Sequence, residues 1–270
     1  MTSMTSMKIV IILVALVTAS FAGTIDPSVP DSKYVKYGSQ HECVLQIMGS
    51  MKDGDSNMLY KGSCVVIGPY YILTSAHVVA EMKNPFVIYE GNHVDCALVA
   101  IHSKFKQDQD GYNDIALARL IKPIVLDFYP DLYTEQDEVG KVCSIAGYGY
   151  TGTFKTGYII DNFDKKKRAG ANVIDEIHRN TLAFSAHKNK TNLEFLITPG
   201  DSGGGLFINQ KLAGINSCVY ATDGKTDSDF GDVGCSTRIS DYIKWIKATK
   251  QYLENIIKSA ENFKKQDNTL

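Results

Sequence analysis

The chain has 270 residues, 44% of them hydrophobic, with 28 basic and 30 acidic residues and a formal net charge of -2. That is enough apolar content for one large core or two smaller ones. The charge is too balanced for a polyelectrolyte tail, a nucleic-acid surface or a general membrane-surface binder, so partners must be recognised by local chemistry. At the N-terminus, Lys8 precedes the apolar run "IVIILVALV" (Ile9 to Val17) and then "TASFAG", where Ser20 and Ala22 flank Phe21. This order reads as an export signal over residues 1–22, cleaved after Ala22. The apolar run is shorter than the roughly 20 residues a membrane span needs, so the mature chain is expected to be secreted and off the membrane.

After the signal, "GTIDPSVPDS" is rich in turn formers, and Gly23 to Ser32 is expected to be exposed, part of an N-terminal arm over residues 23–42. The fold is expected to begin near Cys43. From there short runs such as "CVLQI", "SCVVI", "YYILTSAHVV", "FVIYE", "DIALARL", "GGLFI" and "LAGINSCV" recur, rich in β-branched and aromatic residues and separated by Gly, Pro, Asn and Asp. No long amphipathic crossover lies between them, so the sheets are mainly antiparallel and the fold class is all-β. The polar stretch "IKPIVLDFYPDLYTEQDE" (Ile121 to Glu138) divides the runs into two β-units, about 43–125 and 138–240. The basic run Lys165 to Arg168 reads as a solvated loop. At the end of the chain Ile246, Leu253, Ile256, Ile257, Ala260 and Phe263 make a helical stripe, with Asp241 placed to cap its start. The expectation is a terminal helix laid on the body, extending it over 247–270, with a docking helix for a partner as the lesser reading.

Export makes the cysteines informative. Cys43, Cys64, Cys96, Cys143, Cys218 and Cys235 would meet an oxidising compartment, and six cysteines allow 15 connectivities. None forms a CxxC pair or a Cys/His spacing suited to zinc, and no EF-hand spacing is present, so disulfides are expected and a metal or cofactor is not. Asn189-Lys190-Thr191 is a candidate glycosylation triplet.

The stretch "FLITPGDSGGGLF" (Phe195 to Phe207) sets Ser202 among glycines between two apolar arms. A serine hydroxyl is a weak nucleophile unless a base removes its proton, and the base works best when a third group fixes its tautomer. "YYILTSAHVVA" puts His77 at the end of an apolar run, beside the small residues Ser75 and Ala76. "GYNDIALARL" puts Asp114 at the start of another. Alone, such a His or Asp is more often structural.

Taken in order, "LTSAHVV", "NDIALARL" and "GDSGGGL" resemble the three catalytic signatures of the chymotrypsin/trypsin-like serine proteases. "GSCVVIGP", "KVCSIAGYG", "LAGINSC" and "STRISDYIKWI" extend the likeness over roughly Cys43 to Ile246, the expected protease domain. The resemblance implies two six-stranded antiparallel barrels with the active site between them. It implies that Ser202 attacks a peptide carbonyl, His77 carries the proton and Asp114 orients the imidazole. Gly200 and Ser202 would supply the oxyanion-hole N–H groups, while Gly203 and Gly204 let the turn pack closely. Ser217 would support Asp114 and begin a strand that binds an extended polypeptide substrate by main-chain pairing. A protein inhibitor is a further partner of such a site, and an esterase is the weaker enzymatic reading. In the specificity pocket the match puts Leu196 at the floor, Val219 on one wall and Gly234 on the other, which implies cleavage after small or medium aliphatic residues.

Departures from the family pattern are equally specific. No "IVGG"-like terminus follows a basic residue, so either a cut at Lys33 or Lys36 exposes an unusual Tyr terminus, or Asp201 is satisfied without an activation cut; the second is preferred. Val78 and Thr198 replace the family's usual cysteines. The strand match implies Cys218–Cys235 as the best bridge, then Cys43–Cys64, with Cys96–Cys143 as the remainder. A homologue that binds without cutting is the competing reading, disfavoured because all three triad positions and the oxyanion glycine are present.

Overall fold

This computed structural model describes residues 23–53, 56–107, 111–160, 163–187, 190–221 and 223–267. The expected export signal and Asn189 lie outside them. Strand β1 (Gly23–Ile25) and helix α1 (Asp31–Gly38) precede six strands: β2 (Val44–Asp53), β3 (Ser56–Gly68), β4 (Tyr71–Thr74), β5 (Lys83–Tyr89), β6 (Asn92–Ile101) and β7 (Ala116–Leu120). These close into an antiparallel barrel in the order β2-β3-β4-β7-β6-β5. The one-turn helix α2 (Ala76–Val79) follows β4.

Ten more strands follow: β8 (Val142–Gly147), β9 (Thr151–Thr153), β10 (Gly157–Ile159), β11 (Arg168–Val173), β12 (Glu176–His178), β13 (Thr181–Ser185), β14 (Phe195–Leu196), β15 (Gly205–Ile208), β16 (Lys211–Tyr220) and β17 (Val233–Arg238). Seven of them form a sheet in the order β11-β8-β15-β16-β17-β13-β12, and β10-β9-β1-β14 form a four-stranded sheet. The all-β class and the six-stranded first barrel are as expected. The second unit pairs as seven strands because the short hairpin strand β12 adds to β13. A turn at Ile239–Asp241 leads into helix α3 (Ile243–Asp267).

Side-chain alternation shows why the strands that carry the site read as unbroken apolar runs. On β4 and β7, Ile72, Ala116 and Ala118 face the barrel interior with Ile47 and Val66. Their neighbours Leu73 and Leu117 face the other way, into a cluster with Phe207 and Ile215 of the second unit. A strand covered on both faces has no solvent side on which to place polar residues.

Three expectations are corrected. The first is the exposed arm, since Gly23, Thr24 and Ile25 are all buried. β1 runs parallel to β9 and antiparallel to β14, and Gly23 N donates to Tyr150 O at 2.7 Å. The second is the solvated basic loop. The Arg168 guanidinium is 0% exposed and paired with Asp31 of α1 at 2.6 Å and with Asp164 at 2.8 Å. Lys167 Nζ donates to the carbonyls of His41 and Val44, and burial pushes its pKa down to about 8. Both have a cause of the same kind, burial by distant partners: β9 and β14 cover β1, while Asp31, His41 and Val44 engage Arg168 and Lys167. The third concerns α3. Ile246 and Leu253 are buried and Ile256 is partly so, but Ala260 is exposed and Phe263 is 70% exposed. The stripe is thus covered only over its first half. Asp241 accepts from Arg238 Nη1 at 3.3 Å in the preceding turn instead of capping the helix.

Candidate active site

The site forms where the two units meet. β4 delivers His77 through Ser75, whose hydroxyl leaves the helix end uncapped and donates to Asn216 O of β16 at 2.6 Å. Asp114 lies two residues before β7 and is 2% exposed at its side chain. Its Oδ2 meets His77 Nδ1 at 2.7 Å and accepts from Ser217 Oγ at 2.6 Å, while its Oδ1 accepts from His77 N at 2.8 Å. Thr237 Oγ1 donates to Asp114 O at 2.9 Å, fixing the residue from the second unit. This is the support expected of Ser217.

Electrostatics follow from that geometry. Burial alone would lower the pKa of His77, but the hydrogen bond and charge of Asp114 outweigh it and hold the imidazole above its ordinary value. Burial alone would raise the Asp114 pKa, but bonds from His77 and Ser217 hold the carboxyl below its ordinary value. An ionised Asp114 against Nδ1–H leaves Nε2 as the free base.

Ser202 shares with His77 a cavity of about 300 Å³ that Gly200, Ile197, Val219 and Ser228 also line. The Ser202 hydroxyl donates to Ser217 O at 3.3 Å. Gly200 has φ 98° and its carbonyl accepts from Ser63 Oγ at 2.8 Å. Among the described backbone hydrogen bonds, neither Gly200 N nor Ser202 N has an acceptor. A Cβ on Gly203, at φ 85°, would lie 2.0 Å from Ser63 O, so the turn packs against β3 as closely as expected.

Asp201 is fully buried. Oδ1 accepts from Gly149 N at 2.8 Å, and Oδ2 from Thr198 N at 2.9 Å and Thr198 Oγ1 at 3.1 Å. Burial pushes its pKa up to about 7, and these donors only partly offset it. Thr198, in the place of the usual cysteine, is thus one of its partners. Ser63, Ser75 and Asn216 also serve the site and were not singled out from the sequence. Isolated Ser and Asn in strands carry no local signal of what their side chains reach.

Leu196 and Gly234 do not line the cavity. Leu196 is 0% exposed in the core, and a Cβ on Gly234 would meet Phe184 at 2.5 Å and Leu196 Cδ1 at 2.9 Å. They stand one layer behind, and Ile197 and Ser228 take their expected places beside Val219. His41 Nε2 lies 3.0 Å from Ser144 Oγ, but His41 Nδ1 faces Tyr37 O and no carboxylate completes the group.

All six cysteines are free thiols here, so none of the three expected pairings is formed in this structure. Cys218 and Cys235 do stand opposite each other across β16 and β17. A hydrogen bond with Cys235 holds the Cys218 thiol below its ordinary pKa, against the effect of burial. Cys64 instead pairs with Leu45, while the Cys43 carbonyl takes Val66 N, so those two are out of register. Cys96 belongs to the barrel and Cys143 to the second sheet, where its thiol donates to Asn172 O at 3.4 Å. The described residues hold one acidic trio with ligand atoms within 4.8 Å, Asp227, Asp229 and Asp232, of which Asp232 is engaged by Ser228 N.

Comparison with known proteins agrees with this architecture. A relative from Equus caballus, Kallikrein-1E2, is 25% identical over 214 residues, covering 68% of this chain and 78% of the relative. The solved structure of neuropsin, a serine protease expressed in the limbic system of mouse brain, shares the fold. It superposes with a TM-score of 0.61 at 21% identity, over 79% of this chain and 96% of that one. The Trypsin family model matches residues 39–246. That span contains both β-units, His77, Asp114 and Ser202, and the chain belongs to the trypsin family of serine proteases.

Proposed function

We propose that this chain is a secreted serine endopeptidase, with residues 1–22 as its export signal and 43–246 as its catalytic domain. The observation that carries the reading is the 2.7 Å contact of Asp114 with His77 Nδ1 in the cavity that also holds Ser202. An extended peptide would pair with the Ser217–Val219 segment, bringing its carbonyl carbon to Ser202 Oγ. His77 Nε2 takes the hydroxyl proton as Oγ bonds to that carbon, and the oxyanion develops toward Gly200 N and Ser202 N. His77 then gives the proton to the leaving amine, and water repeats the sequence on the acyl-enzyme. Without substrate the Ser202 hydroxyl is turned to Ser217 O at 3.3 Å, and on this reading it turns to His77 Nε2 as the peptide binds.

The pocket reading follows from chemistry. No carboxylate is among the described residues that line the cavity beside Ser202, so a buried substrate Lys or Arg would lack a partner there. Ile197 and Val219 narrow it to small or medium aliphatic side chains. No activation cut is required on this reading, because Gly149 N and Thr198 N already meet the two Asp201 oxygens.

Ser202→Ala tests the assignment. Only a hydroxyl is lost, so the fold should persist, while labelling by an active-site phosphonate disappears and kcat drops on the order of 10⁶. Undiminished peptidase activity in the purified variant would overturn it.

A further inference from the structure

Beside the catalytic cavity lies a much larger one of about 1270 Å³. The two share their walls in sequence. Tyr112 and Asn113, which line the larger cavity, lead straight into Asp114, and Tyr220 continues β16 directly after Val219. Three exposed cations ring it, Lys104, Arg179 and Lys244, and none is in an ion pair among the described residues. Among the described residues that line it, the one carboxylate, Asp241, is already taken by Arg238. Arg179 sits 6.0 Å from the centre of the Tyr112 ring, and Trp245 lies across from it on α3. Cations unpaired on an aromatic floor present a positive surface with little competing negative charge.

The direction of substrate binding says what meets that surface. A peptide pairing antiparallel to β16 with its cleaved bond at Ser202 runs backwards along Ser217 to Tyr220, so its upstream residues lie toward Tyr220. At about 3.3 Å per residue, Tyr220 stands roughly 10 Å from Ser217 and receives about the fourth residue before the cleaved bond. We infer that this cavity binds acidic side chains of the polypeptide substrate at roughly the fourth to sixth residues upstream of the cleaved bond. The inference rests on the endopeptidase reading above.

Three fluorogenic peptides with identical residues around the cleaved bond test it. One carries Asp at those upstream positions, one carries Asn there, and one carries the same Asp residues downstream. At about 50 mM salt the upstream-Asp peptide should exceed the Asn peptide about tenfold in kcat/KM, and the advantage should shrink as salt rises. The downstream-Asp peptide should show no such advantage. In the combined variant Lys104→Gln, Arg179→Gln, Lys244→Gln the ratio should fall to about one. Anisotropy of the same peptides on Ser202→Ala protein reads the binding ratio without hydrolysis. Absence of cleavage of every peptide would therefore defeat the protease reading, while the binding ratio still decides the cavity. The inference is overturned by equal handling of the Asp and Asn peptides, by an equal advantage for downstream Asp, or by an advantage that survives the combined variant. It is also overturned if the three cations serve only to bind a sulfated polysaccharide while the peptides show no preference.

Discussion

Gly23→Ala is the sharpest test of the N-terminal strand. In the exported chain Gly23 is the first residue, so its φ carries no strain and the test rests on packing. An added Cβ would lie 2.1, 2.3 and 3.0 Å from three atoms of the Phe195 ring. That ring cannot retreat, since Phe195 is 0% exposed and its own Cβ lies 2.3 Å from where a Cβ on Gly170 would stand. Overpacking of this kind costs about 1–3 kcal/mol, and a loss of that size is predicted. Urea unfolding should show a lower midpoint at an unchanged slope. Peptide hydrolysis should fall as well, because Phe195 and Leu196 of β14 run directly into the Ile197–Ser202 turn. A destabilisation below about 0.5 kcal/mol would refute the reasoning, since that is the range of an inconsequential surface change.

Other outcomes follow from the site. The acid limb of kcat/KM should have an apparent pKa above 6.5, because His77 must be neutral to act as base and Asp114 raises its pKa against burial; Asp114→Asn should move that limb down. The same raised pKa stabilises the fold below pH 6.5, a contribution that is lost as pH rises through the folded value. Non-reducing peptide mapping of the exported chain should recover Cys218 linked to Cys235, a bridge whose removal costs about 2–5 kcal/mol; thiols at both positions would sink the pairing. Profiling on a peptide library should favour cleavage after Ala, Val or Leu, and dominant cleavage after Lys or Arg would refute the pocket reading while leaving the triad assignment untouched.

The triad was legible because its three residues sit at the borders of apolar runs, in "LTSAHVV", "NDIALARL" and "GDSGGGL". Such borders mark where a doubly covered strand releases the chain toward a cleft. β1 was not legible, because three residues between turn formers carry no periodicity, and their burial depends on partners such as Tyr150 and Phe195 far along the chain. Arg168 failed for the same reason, since nothing near it in sequence announces that Asp31 of α1 will meet it. The expected floor residue Leu196 and wall residue Gly234 were displaced by a single layer. The register from Ser202 fixes which residues lie near the pocket, but not which side chain fronts it when the Thr198 turn is held by Asp201.

The nucleophile turn is held from three directions, and this bears on how the enzyme becomes active. From the first barrel, Ser63 N donates to Ser202 O at 2.8 Å and Ser63 Oγ to Gly200 O at 2.8 Å. From the second unit, Asn216 O accepts from Gly203 N at 2.8 Å, and Asn216 Nδ2 donates to Asp201 O at 3.3 Å. The third support comes from the N-terminal strand. Gly23 N and Thr198 Oγ1 both donate to Tyr150 O, at 2.7 and 2.6 Å, and Thr198 in turn holds the Asp201 carboxylate. β1 therefore reaches the oxyanion turn through two side-chain links. Lys33 and Lys36 lie within α1, whose Asp31 closes over the buried Arg168. A cut there would have to unwind that helix, and it would release β1 from the chain that anchors it. On the proposed endopeptidase reading, such a cut would remove a support of the turn that carries Ser202 instead of activating it.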